Sequence, residues 1–287
     1  MDEMNLNTQA FWRTRQQAGY TKVAQGYAAL TSDKKDLKQW DWQLDKHLHL
    51  IDYLSQHQSK TAIADTSAAI LWGLPILNFP PKVVERDSLT NARTRLTRNQ
   101  RTRRTEAVPD VMKIGNILVT TIEQTIVDIA CQHGGEAALI AADFALHNQL
   151  TSLERIEKVV RRQGQRAGIG NVRDVLKVAD GRVESPAESR MRWRFYTSRF
   201  IIPEPQVIII SGGKVYRVDG YDAHTRTVYE AVGKYKYALY SGGQIQAFFE
   251  ERNRDPTLRS FGFAVHRAQF DDVVNAARFQ DWLELLH

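Results

Sequence analysis

A chain of 287 residues is long enough for about two domains of roughly 100–200 residues each, and 43% hydrophobic with 25% charged residues is a globular composition, which excludes a disordered or collagen-like chain. The single cysteine, Cys131, excludes an internal disulfide. No apolar run approaches the ~18 residues of a membrane span, and the opening MDEMNLNTQAFWRTRQQ has acids and amides where a secretory signal is apolar, so a cytoplasmic protein is expected. The formal charge of +6 and a pI near 9.4 suit an anionic partner.

The basic excess is concentrated in residues 1–110, which carry 16 basic and 12 acidic side chains, against 8 and 8 in 111–181 and 15 and 13 in 182–287. No internal repeat is visible, which argues against a solenoid or propeller. After an opening piece up to about Leu30, Leu44, Leu48, Ile51 and Tyr53 or Leu54 recur at steps of three and four and predict an amphipathic helix over Lys38–Gln58. A second helix is expected after Asp65 or Thr66 as N-cap, running through SAAILWG and stopped by Gly73 and Pro75. The stretch LPILNFPPKVVE reads as extended. NARTRLTRNQRTRR then brings together Arg93, Arg95, Arg98, Arg101, Arg103 and Arg104, with no acid between Asp87 and Glu106. These six arginines are a candidate DNA-binding segment, although such a run is also the makeup of a solvated loop.

VMKIGNILVT reads as a strand or hairpin leading into TTIEQTIVDIAC, where Thr120 and Glu123 have capping-box spacing and Ile122, Ile126, Ile129 and Ala130 face inward. Gly134 and Gly135 close that helix, and GEAALIAADFALHNQ forms another. Thr151 and Glu154 repeat the capping box before LERIEKVVRRQG. Gly164, Gly168 and Gly170 punctuate the chain ahead of NVRDVLKVADG, and a domain boundary is expected near Gly181.

Ser185, Pro186 and Glu188 are favoured choices at N-cap, N1 and N3, and announce the next helix. PEPQVIIIS, KVYRVDGY and RTVYEAVG read as three strands, followed by a helix over Phe248–Ser260, a strand in FGFAVHRA and a terminal helix in DDVVNAARFQDWLELL. A hairpin pairing residue 219 with 228 and 217 with 230 puts Asp219 and Glu230 on one sheet face. Two such carboxylates with an acid-bearing helix alongside can hold Mg2+ against phosphate oxygens. The candidate catalytic set is therefore Glu188, Asp219, Glu230 and a lysine, Lys234 or Lys236, with Asp219 and Glu230 as the metal ligands. Structural roles compete for each: a helix cap for Glu188, a turn for Asp219, and an ion pair with Arg217 for Glu230. His47 and His49 point away from each other on a helix, Cys131 reads as packing, and CxxC, HExxH, GxSxG and P-loop motifs are all missing from the sequence.

SPAESRMRWRF, RVDGY, VYEAVGKYKY and FFEERNRDPTLRSFGFAVHR resemble, in that order, the C-terminal domain of the very-short-patch-repair-like branch of PD-(D/E)XK nucleases. TSAAILWGLPI, TTIEQTIVDIAC and ALIAADFALHN are similar to actinobacterial proteins grouped with AbiEi-type antitoxins of toxin-antitoxin systems. The likeness covers roughly residues 20–275. It implies an α+β protein: a mainly helical, winged-helix-related region with a small sheet over 1–181, then an αβα domain with a mixed central sheet over 182–287. Few residues precede the first helix for a full winged helix.

The nuclease pattern wants a lysine two residues after its second acid, and this chain has Val232 there. Two functions follow as expectations. One is a DNA-associated, antitoxin-like regulator with a degenerate nuclease-fold domain, for which DNA and a cognate toxin are the partners. The other is a Mg2+-dependent endonuclease in which Lys234 or Lys236 replaces the missing group.

Overall fold

The computed structural model describes residues 20–24, 27–30, 39–56, 60–90, 92–232 and 255–286. Their architecture is α+β with mixed multi-strand sheets. The described residues fall into two compact units, one from 1–141 with 151–172 and the other from 142–150 with 173–287.

In the first unit, β1 (Tyr20–Ala24) and β2 (Tyr27–Leu30) form an antiparallel pair. Helix α1 (Gln39–Ser55) follows, then β3 (Thr61–Ile63) and α2 (Asp65–Trp72). Gly73 ends α2 in the left-handed region (φ 69°), where a missing Cβ avoids strain. β4 (Val84–Ser88), β5 (Arg95–Leu96), β6 (Gln100–Arg103), β7 (Val111–Ile114) and β8 (Ile117–Thr120) complete a six-stranded mixed sheet in the order β5-β6-β4-β3-β8-β7. Only the β7–β8 hairpin of this sheet was legible as strand. The arginine segment supplies β5 and β6, because burial of Thr102 and Arg103 beside β4 outweighs the segment's polarity. Leu50 and Ile51 of α1, Ile63, Ala68, Val84 and Val119 pack into one apolar cluster.

Two caps fall one residue later than the sequence spacing suggests. Thr121, not Thr120, accepts the Gln124 N–H at the start of α3 (Ile122–His133), because Thr120 ends β8 and its hydroxyl is 2.8 Å from that of Thr125. Ser152, not Thr151, caps α5 (Leu153–Gln163), while Thr151 donates to Glu123 Oε1 at 2.8 Å. In each Thr-Thr or Thr-Ser pair both residues can cap, and tertiary bonding claims the first. Between them runs α4 (Gly135–His147), and α6 (Ile169–Val178) follows.

The second unit centres on α7 (Pro186–Thr197), then β9 (Glu204–Ser211), β10 (Lys214–Asp222) and β11 (Thr227–Val232) as an antiparallel meander. Residues 255–260 are helical, and β12 (Ala264–Gln269) adds to β11 in parallel, giving the order β12-β11-β10-β9. One face of this sheet packs Tyr229, Ala231 and Ala268 against Met191 and Phe195 of α7. The same cluster takes in α8 (Phe270–Val274) and α9 (Ala276–Glu284). The other face packs Val218, Val228 and Val265 with Leu258. The terminal helix expected as one piece is divided at Asn275, whose extended backbone and side-chain oxygen cap α9 by accepting from Ala277 and Arg278 N–H. Residues 248–254 of the helix expected at Phe248–Ser260 lie outside the described residues.

Candidate functional site

The arginine segment folds as a hairpin at the sheet edge, with Arg95 opposite Thr102 and Leu96 opposite Arg101. Arg93, Arg95, Arg98, Arg101 and Arg104 are exposed. Arg103 is not, and this removes it from any phosphate contact: it is 7% exposed and lies on the same sheet face as Glu85, Asp87 and Arg101, because residues two apart share a face and parallel partners match. Its Nε donates to Asp87 Oδ1 at 2.9 Å, its Nη1 donates to Asp65 Oδ2 at 2.6 Å, and Nη2 lies 3.9 Å from Asp128. The acids that neutralise it come from β4, α2 and α3, which no local count of charges near residue 103 registers.

This buried cluster of charged side chains was missed at the level of sequence. Asp65, Asp87 and Asp128 are at most 1% exposed. Asp128 also accepts from Arg166 Nη1 at 2.5 Å and Gln124 Nε2 at 3.0 Å. Burial pushes the Asp128 carboxyl up to about 7, with the Asp87 charge adding to it, and burial followed by the Asp65 charge pushes Glu85 up to about 7. Asp65 is held below its ordinary value: burial opposes this, but the His133 hydrogen bond and the Arg103 charge outweigh it. The hydrogen bond to Asp65 in turn raises His133. Asp65 has φ 56°, a left-handed backbone that costs a non-glycine residue about 1–3 kcal/mol. A signal was present in the sequence: Asp128 stands among the inward-facing isoleucines of TIVDIAC, where an unpaired charge is rarely tolerated.

The acids proposed for chemistry in the second unit do not gather. Glu188 is the N3 residue of α7. It accepts from the Ser185 hydroxyl at 2.7 Å, the Glu184 N–H at 3.2 Å and Gln206 Nε2 at 2.8 Å, while Ser185 accepts its N–H. Burial, then the Asp219 charge, raises its pKa. Asp219 Oδ2 accepts the Ala231 N–H at 3.0 Å. The β10–β11 ladder pairs Gly220 with Tyr229, so the register runs two residues from the one expected, which sets 220 against 227.

Alternation along β11 puts Glu230 with Val228, on the face of Leu258, and its parallel partner is Arg267, whose guanidinium binds Asp255 at 2.7 and 2.8 Å. Tyr229 and Ala231 take the opposite face, against α7, which carries Glu188. Tyr216, Val218 and Tyr221 all pack into the Leu258 cluster, so regular alternation in β10 breaks beside Asp219, and parity along that strand is no guide to its face. Arg217, considered as a partner for Glu230, forms a two-pronged bond with Glu184 at 2.7 and 2.8 Å. Glu188, Asp219 and Glu230 are not a group with ligand atoms within 4.8 Å of one another, and this donor arrangement does not fit a shared Mg2+. Val232 is buried and pairs with Gln269. Lys234 and Lys236 lie outside the described residues.

No helix among the described residues is long and apolar enough to cross a membrane. No family model matches the chain, and no solved structure matches it. Over 164 residues it is 29% identical to two uncharacterized proteins of Mycobacterium tuberculosis, one from strain CDC 1551 / Oshkosh and one from strain H37Rv. The match covers 57% of this chain and spans 59% of the length of each relative.

Proposed function

We propose that the chain is a DNA-associated regulator that grips the phosphate backbone through the β5–β6 hairpin, with the second unit serving as a non-catalytic scaffold. The observation that carries this reading is the set of exposed arginines, Arg93, Arg95, Arg98, Arg101 and Arg104, on one edge hairpin whose own sequence has no acid. An edge strand needs only a charge or two to block edge-to-edge pairing. Five of one sign are an electrostatic footprint for a polyanion. The buried Arg103 contributes by fixing β6 to β4 and α2, so that the exposed arginines project from a stiff ribbon. The protein is antitoxin-like in this reading, acts in the cytoplasm, and has a cognate toxin as a second partner.

Each phosphate contact releases counterions and adds about 0.9 to the logarithmic salt slope of binding to duplex DNA. Replacing Arg93, Arg95, Arg98 and Arg101 by alanine is expected to flatten that slope by about 3–4 and to weaken binding for unrelated sequences alike. Unchanged slope and affinity would make the hairpin a solvated edge. Plasmid cleavage in Mg2+ that Asp219→Ala abolishes would replace this reading with a metal-dependent endonuclease.

A further inference from the structure

Among the described residues, one group of three His, Cys, Asp or Glu side chains brings its ligand atoms within 4.8 Å of one another: Asp65, Glu85 and His133. They arrive from the start of α2, from β4 and from the last residue of α3. A second observation separates this group from an ordinary ion-pair cluster. Glu85 is 7% exposed and its Oε2 has no hydrogen-bond partner, although its own N–H is satisfied by Ser67 Oγ at 2.9 Å. A buried carboxylate oxygen close to an imidazole and a second carboxylate, and left without a donor, is a ligand atom open to a cation.

The other two residues are poised to share that cation. Asp65 gives Oδ2 to Arg103 at 2.6 Å, which leaves Oδ1 turned toward His133 Nε2 at 3.0 Å. Around the group, Arg103 binds Asp65 and Asp87, and Arg166 binds Asp128. His133 is the exposed member of the group, and with Thr66, Phe79 and Ile129 it lines a cavity of about 90 Å³ that offers a way in.

We propose that Asp65 Oδ1, a Glu85 carboxylate oxygen and His133 Nε2 bind a divalent transition ion of the zinc class, with water completing a four-coordinate shell. One imidazole with two carboxylates suits zinc, whereas Mg2+ takes oxygen donors and keeps most of its water. Ligands at about 2.0–2.2 Å from zinc stand roughly 3.3–3.5 Å apart, so small side-chain rotations close the site. Arg103 is then the outer partner that orients Asp65. The site follows no sequence motif, since its ligands are separated by 20 and 48 residues.

The test uses the untagged full chain, stripped of metal and titrated with zinc chloride against a chromophoric chelator. One zinc per chain is expected, with affinity reduced at least tenfold in His133→Ala and in Glu85→Gln, melting temperatures close to wild type, and no competition from millimolar magnesium. X-ray absorption at the zinc edge of the wild type is expected to show a nitrogen and oxygen shell without sulfur, which tests the assignment even if Glu85→Gln fails to fold. Wild-type affinity in either folded variant, a sulfur ligand from Cys131, equal competition by magnesium, or no stoichiometric binding would overturn it.

Discussion

Arg101 and Arg103 differ by one step along the same strand face, and their fates diverge because β6 passes from solvent into the ion cluster between them. Arg103→Ala strands Asp65, Asp87 and Asp128 in the interior, and losing one partner of a buried ion network costs about 3–5 kcal/mol. Arg101→Ala removes an exposed side chain and is expected to change stability by no more than about 0.5 kcal/mol. Urea denaturation of the two variants measures the contrast, and equal losses would refute the burial argument. His47 offers a second test. It is 3% exposed, its Nε2 lies 3.1 Å from Ser67 Oγ, and burial lowers its pKa from 6.5 to about 4. The unfolded chain takes up this proton near pH 6.5 and the folded one only near 4. Stability from His47 is therefore complete above pH 6.5 and lost as pH falls toward 4, by on the order of 3 kcal/mol. His47→Gln is expected to remove that component of the acid slope between pH 6.5 and 4.5, as read by urea unfolding at successive pH values. A slope identical to wild type would show that His47 protonates freely in the folded state.

Elements with local punctuation were legible, and those defined by distant partners were not. Ser185, Pro186 and Glu188 announce α7 within four residues, and the structure has each at its expected cap position. Ser185→Ala removes both the acceptor for the Glu188 N–H and a donor to Glu188 Oε1, so a loss of about 1–2 kcal/mol is expected in thermal or urea unfolding. Apolar runs bounded by Gly212 and Gly213 and by the polar DAHT connection likewise mark β9, β10 and β11. What these runs do not reveal is the hairpin register: Asp222 accepts from His224 N–H at 2.9 Å and Thr225 Oγ1 at 2.8 Å, holding a connection over 223–226 in which 222 faces 227 and not 225, and this moves the ladder by two residues. The ion cluster was illegible for a related reason. Two of its acids, Asp65 and Asp87, look like a helix start and a loop charge, and Asp128, among inward-facing isoleucines, has no visible partner until β3, β4, β6 and α3 assemble around Arg103. The arginine segment was read correctly as a charge pattern, but folding of β6 against β4 takes one of its six members inward.

For the whole molecule, the proposed roles divide between units: the arginine hairpin belongs to the first, and Glu188, Asp219 and Glu230 belong to the second. The acids of the second unit are occupied by its own scaffold, Glu188 by the α7 cap and Asp219 by the Ala231 N–H. Removing them is expected to act on folding and not on DNA affinity. Asp219→Asn keeps the shape of the side chain and an oxygen able to accept the Ala231 N–H, while removing its charge near Glu188. It is therefore expected to leave stability within about 1 kcal/mol of wild type, because the weaker neutral hydrogen bond and the relief of carboxylate repulsion oppose each other. DNA affinity and salt slope should remain those of wild type. In a double-variant cycle with Arg101→Ala, the effects on binding free energy should add within about 0.5 kcal/mol, as for sites that share no partner. A coupling of 1 kcal/mol or more would mean that both units hold one DNA, and would return Asp219 to the nucleic-acid site from which its hydrogen bonding now removes it.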